Sequence, residues 1–378
     1  MILPGWRTLG FTWAGVLALV AAGGLWLQHL GPLPATPAGD APASAEAPSQ
    51  TTAEPPSQSA AVSVAPQPSA PRATPAATST EAIPAAPPLS PAAADTPVPR
   101  ATPRGMPGLD PSLTEAGRHG QLPRISADGR TSIRAYARPF DRSDPRPRIA
   151  IIVSDFGLYA SQSDDALRRL PPAVALAITP YGYGLPAWSE RARERGMETL
   201  VAIPMEPAGF PMNDPGDRAL LTSQPLPENL DRLSWALSRT QGYIGAIGAL
   251  GGMRGERFAA SGEPFAMVQD SLNGRGLLYI DPRPGARSPA RAWGRSVDVV
   301  VDEPATRGEI ERRLAALEVI ARERGSAIGL AGSPTPVVVD RIAAWAETLA
   351  AKGLVLAPVS VMIRRPDAIA PEAASRTP

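Results

Sequence analysis

Cysteine is absent from all 378 residues, and histidine occurs only twice, as His29 and His119. The first absence excludes disulfides, thiolate nucleophiles and cysteine-ligated zinc or iron–sulfur centres. The second removes nearly every imidazole, the commonest metal ligand and the side chain whose pKa best suits proton transfer near neutrality. A charge bias is missing too: 37 basic and 36 acidic residues leave a net charge of +1. Nucleic-acid recognition needs a basic surface, so it is not among the functions this chain suggests.

Long apolar runs are also scarce, with one exception at the start. Leu9 to Leu27 contains no charged residue, and nineteen residues of helix span about 28 Å, the thickness of bilayer hydrocarbon. Trp6, Trp13 and Trp26 fit the two interfaces. Residues 1–30 are therefore read as a transmembrane anchor, holding a single-pass protein in the inner membrane with its C-terminal part in the periplasm. A cleaved signal peptide is the rival reading, since small residues follow at Ala35 and Ala38. Residues 31–100 then hold 17 prolines among Ala, Ser and Thr. Such a stretch has too little apolar surface to offset the entropy of ordering it. It predicts a disordered linker over 31–125, followed by a lead-in segment at 126–147; a short strand pair is expected over PRISADGRTSIRAYARPF (123–140).

Regular patterning begins at Arg148 and runs to about residue 365, leaving 366–378 as a tail. Apolar strand-like runs at 149–153, 174–179, 199–203, 244–249, 277–280, 297–301, 327–330 and 354–359 alternate with helical spans. The clearest helix is Arg307–Arg324, with Ile310, Leu314, Leu317 and Ile320 on one stripe. Buried strands separated by helices predict an α/β fold with a parallel sheet covered by helices, closed or nearly closed into a barrel. Polar residues then fall at the C-terminal strand ends, where barrel active sites assemble: Ser154 and Asp155, Glu206, Asp281, Gly332 and Ser333. Carboxylates there can hold a metal or exchange protons, or they can simply cap helices and order turns.

The segments RIAIIVSDFG (148–157), LVAIPMEP (200–207), LLTSQP (220–225), GLLYIDPR (276–283), GSAIGLAGSPTP (325–336) and GLVLAPVS (353–360) resemble, in order and spacing, the divergent polysaccharide deacetylases. That resemblance implies a deformed (β/α)7-type barrel and, in active relatives, a divalent metal that activates water for amide hydrolysis. It also exposes departures. Ser154 and Asp155 stand for an Asp-Asp pair, and Ala202 stands for a histidine. Gly251, Gly252 and Met253 fall where an Asn-His-Met segment is usual, with Arg254 inserted, and Ser333 replaces the last histidine. Asp155, Glu206, Asp281 and Arg257 remain as candidate catalytic residues. The three carboxylates would be the ligands if a divalent cation binds; otherwise no cofactor is implied.

Three functions stay open on this reading. A catalytically inactive domain would bind a glycan or another cell-envelope component, with Tyr159, Tyr181, Tyr183 and Trp188 as candidates for stacking on sugars. A carboxylate-only, metal-dependent deacetylase would need Asp155, Glu206 and Asp281 in one shell. A structural adaptor would show an apolar patch away from the strand ends. Arg257 and Arg283 are the cations placed to neutralise the carboxylates.

Overall fold

The computed structural model describes residues 106–366. The expected anchor, the linker up to residue 105 and the tail from 367 lie outside the described residues. Among the described ones no helix is long and apolar enough to cross a membrane.

The chain opens with a hairpin, β1 (Thr114–Gly117) and β2 (Gly120–Pro123), and a helical turn α1 (Ser132–Ala135). The strand pair expected over 123–140 lies earlier, at 114–123, inside the stretch assigned to the linker, and the lead-in forms a helical turn instead. The reason is local: Leu113 and Leu122 are buried in the cores below, giving this end of the linker the apolar anchors that the proline-rich part lacks.

From Arg148 the chain alternates strand and helix: β3 (Arg148–Phe156), α2 (Ala160–Arg169), β4 (Ala175–Ile178), α3 (Leu185–Glu194), β5 (Thr199–Ala202) and α4 (Leu226–Ser238). β6 (Gly245–Ile247), α5 (Glu256–Ala259), α6 (Glu263–Gly274), β7 (Leu278–Asp281), β8 (Gly294–Ser296) and β9 (Val299–Val300) follow. α7 (Arg307–Arg324), β10 (Ser326–Ala331), α8 (Pro336–Thr348) and β11 (Val355–Leu356) complete the series. The boundaries match the sequence reading closely, because strands buried on both faces read as short apolar runs.

Strand order is β8-β7-β6-β5-β4-β3-β10-β9, all parallel, with β11 beside the start of β3. The two outermost strands are consecutive in the chain, separated only by Val297 and Asp298. Laid flat, eight strands would hold those edges on the order of 30 Å apart, whereas so short a link reaches about 10 Å. The sheet must therefore curl back on itself. Val297 N–H donates to Asp281 O at 2.9 Å and Asp298 N–H to Ile328 O at 2.8 Å, so one bent strand bonds first to β7 and then to β10. The run expected as a single strand at 297–301 is this bend, and it gives the seventh position of a deformed (β/α)7-type ring.

Alternation along β3 sorts the core. Ile149, Ile151 and Val153 face the helix layer with Ile310, Leu314 and Leu317 of α7. Ala150 and Ile152 face the ring interior with Leu200, Ile247, Leu278, Ile280 and Ile328. Tyr136, Val359 and Met362 belong to the interior cluster as well, so the lead-in and the C-terminal segment floor the ring at its N-terminal end. Glu198 joins them: buried, it accepts Arg138 N–H and Ser360 N–H, each at 3.0 Å, and burial pushes its carboxyl upward. The opposite end, where strands finish, is left for polar residues.

Candidate functional site

Asp155 sits near the end of β3, where pairing with β4 shifts register, and it holds a φ of 54°. For a residue with a side chain this left-handed backbone costs about 1–2 kcal/mol, and an observed outlier of this kind points to a position held by its surroundings. Asp155 Oδ1 accepts Gly251 N–H at 2.9 Å. A Cβ on Gly251 would lie 3.1 Å from Asp155 Oδ2, and one on Gly332 would lie 2.9 Å from Gly251 O. The loop after β6 therefore rests directly on Asp155 and against the loop after β10. Glycines stand where the family resemblance placed an imidazole, and their lack of side chains is what lets this loop settle so low. Burial, with the nearby Asp302 charge adding to it, pushes Asp155 up to about 6; the Gly251 hydrogen bond opposes this.

The sequence reading did not single out Asp302. It follows β9, and its Oδ1 and Oδ2 lie 3.0 and 2.9 Å from Gly332 N, which donates to the carboxylate; burial raises its pKa too. The signal was present as an Asp directly after the apolar run at 297–301, the same pattern that marked Asp155 and Asp281. Beside it, Glu303 pairs with Arg254, the inserted residue, which also approaches Glu256 at 3.6 Å.

The other two candidate carboxylates are already occupied. Glu206, 3% exposed, pairs with Arg257 Nε at 3.0 Å, and its Oε2 accepts Thr222 N–H at 2.5 Å and Thr222 Oγ1–H at 2.6 Å. Asp281, also buried, is held by two guanidinium nitrogens of Arg283, Nε to Oδ1 at 2.9 Å and Nη2 to Oδ2 at 2.7 Å, and by Arg283 N–H at 3.0 Å. That bidentate grip holds the Arg283 guanidinium above its ordinary pKa.

The three-carboxylate shell posed from the sequence is thus not assembled. Among the described residues no group of three or more His, Asp or Glu could hold a metal ion, and a catalytic zinc needs three protein ligands with an open position. Two positions that carry metal-site residues in the resemblance are apolar or unpaired here. Ala202 is fully buried, and Ser154 Oγ is buried with no hydrogen-bond partner. His119 lies in the β1–β2 turn, 2.9 Å from Asp231 of α4, not among the strand-end loops.

The aromatic candidates divide in two. Tyr181 packs on Trp235 at 5.4 Å and its hydroxyl accepts Arg218 N–H at 3.3 Å. Trp188 meets Phe156 edge-on at 5.6 Å with Arg191 over its face. Both are packing residues. Tyr159 and Tyr183 are instead 58% and 91% exposed, and Met212, which the sequence reading passed over, is 90% exposed. With Leu158 they are the exposed rim residues of the loops that follow β3, β4 and β5.

A parallel ring with its polar residues at the C-terminal strand ends has the architecture of a sugar-deacetylase-type barrel. The family model described as divergent polysaccharide deacetylase matches residues 151–363, more than half of the chain. The chain belongs to that family. It is 27% identical over 198 residues to an uncharacterized protein of Haemophilus influenzae, covering 50% of this chain and 67% of that one. It is 23% identical over 219 residues to the uncharacterized protein YibQ of Escherichia coli, covering 56% and 66%; it thus spans about two thirds of each relative. Among solved structures, it is similar to an uncharacterized protein from Agrobacterium tumefaciens C58, with 35% identity, a TM-score of 0.60, and coverage of 64% of this chain and 99% of that one.

Proposed function

We propose that the domain is a non-catalytic, deacetylase-like module that binds a glycan of the cell envelope on its strand-end face. The observation that carries this reading is the commitment of each candidate carboxylate: Asp155 to Gly251, Glu206 to Arg257 and Thr222, Asp281 to Arg283. A hydrolase needs groups free to hold metal or water, and here the glycine loop rests on Asp155. The exposed rim supplies what sugar binding uses. Aromatic faces such as Tyr159 and Tyr183 suit the apolar faces of pyranose rings, and Arg257, 58% exposed on its side chain, can donate to hydroxyls. The N-terminal apolar run supports a membrane-tethered, periplasmic placement of this face.

One observation favours a second reading, a deacetylase with a carboxylate-only site. Asp155, pushed up to about 6, is tuned close to the pH at which a general acid–base group works best. The two readings separate in one set of measurements on the purified full chain. Metal content is measured after incubation with zinc, magnesium, calcium or manganese, and acetate release from acetylated chitooligosaccharides and peptidoglycan fragments is assayed alongside binding of the same fragments. Binding without acetate release, weakened by Tyr159→Ala and Tyr183→Ala, is the expected result. One bound metal with turnover abolished by Asp155→Ala would overturn the non-catalytic reading.

A further inference from the structure

A sizeable cavity among the described residues lies away from the strand-end face. It measures about 650 Å³ and is walled by the lead-in segment, the end of α6, Trp293 before β8 and the residues after β11. That size falls within the range of small-molecule sites, roughly 300–1,000 Å³. Its walls belong mostly to chain segments outside the seven strand–helix units. If these segments served only to floor the ring, they would pack flush; they close the interior with Tyr136, Val359 and Met362 and still leave this hollow on their outer side.

The lining has a particular chemistry. Ile125, Ile133, Ile363 and Trp293 give apolar surface, and Ile125 and Trp293 are 41% and 38% exposed. Arg134 and Arg142 are the charged residues of the wall, and no carboxylate lines it. Among the described residues neither guanidinium is held by an ion pair or side-chain hydrogen bond. Arginines close by are differently placed: Arg146 pairs with Asp144, Arg275 with Glu115 and Arg291 with Asp270. Two unneutralised cations in one hollow with an accessible indole form an incomplete set of interactions. A guanidinium fork matches a carboxylate, and an indole face matches an apolar or ring-shaped body.

We infer that this cavity binds an organic acid, its carboxylate on Arg134 and Arg142 and its apolar or sugar face against Trp293. A sugar acid and a short alkanoic acid share that chemistry. The inference stands apart from the strand-end reading, since it uses none of the same residues.

Calorimetric titration of the purified full chain tests it with two acids, N-acetylmuramic acid and octanoate, their uncharged counterparts N-acetylglucosamine and octanol, and inorganic phosphate. Saturable binding of one acid is expected, with its uncharged counterpart at least about tenfold weaker, as loss of a charge-assisted contact implies. Preference for N-acetylmuramic acid would identify a sugar acid, and preference for octanoate an alkanoic acid. Arg134→Glu with Arg142→Glu should reduce affinity at least about tenfold, while Arg134→Lys with Arg142→Lys retains most of it. Trp293→Ala should weaken the acid without restoring binding of the neutral probe. Both arginines are exposed, and an unchanged unfolding midpoint will show that the variants fold. Absence of saturable binding by either acid overturns the inference. So does phosphate binding as tightly as the acids, or affinity indifferent to charge reversal. Should the reversed variant fail to fold, the acid-to-neutral comparison on the unaltered chain decides alone.

Discussion

Replacing Asp155 by Asn should stabilise the domain at neutral pH and do almost nothing near pH 3, below the unfolded pKa. Folded Asp155 keeps its proton up to about 6, whereas the unfolded side chain releases it near 3.8. Between those values the folded state binds more protons than the unfolded one, so this group's contribution to stability falls as pH rises and is fully lost above the folded pKa. At about 1.4 kcal/mol for each pH unit, the displacement is worth about 3 kcal/mol. Asp155 is only partly buried and solvent screens part of that, so about 2 kcal/mol is the working figure. Asparagine keeps an oxygen to accept Gly251 N–H, removing the charge without removing the bond. Denaturant unfolding of both proteins from about pH 3, below the unfolded pKa, to above the folded one is the assay. Glu198 and Asp302 also have raised pKa values and titrate in both proteins, so the difference between the curves largely isolates Asp155. That difference should grow from near zero to about 2 kcal/mol in favour of Asn. A difference independent of pH, or an Asn variant less stable at pH 7.5, would refute the argument that burial dominates here.

Arg257→Ala should destabilise by about 1–2 kcal/mol in denaturant unfolding, because buried Glu206 loses its cation yet keeps two donors from Thr222. Gly251→Ala should cost about 1–2 kcal/mol in the same measurement, since a side chain would take up a φ of 55° while crowding Asp155. Tyr159→Ala and Tyr183→Ala should change stability by less than about 0.5 kcal/mol while reducing the affinity for chitooligosaccharides in titration calorimetry; unchanged affinity in both would remove the rim from the binding reading.

The difference between what the sequence displays and what it hides lies in the range over which each feature is determined. Ile149–Val153 reads as a strand and Ile310, Leu314 and Leu317 as a helix stripe because each pattern is set within a few residues, and both appear where expected. The hairpin at 114–123 was hidden by the composition around it; two leucines sufficed to dock a segment that averages as linker. The site depends on longer connections still. That Asp281 turns to Arg283 is a local event and could be foreseen from the two-residue spacing. That Asp155 lies under Gly251, and feels the charge of Asp302, depends on ring closure through Val297 and Asp298, which brings the ends of β9 and β10 round to β3. Histidines missing from a sequence show only that imidazole chemistry is gone. The ring shows a glycine loop seated on Asp155, at the positions where the resemblance expects an imidazole. On the non-catalytic reading proposed above, a histidine introduced at Gly252 alone should give no acetate release, because Asp155 would stay capped and Glu206 and Asp281 would stay paired.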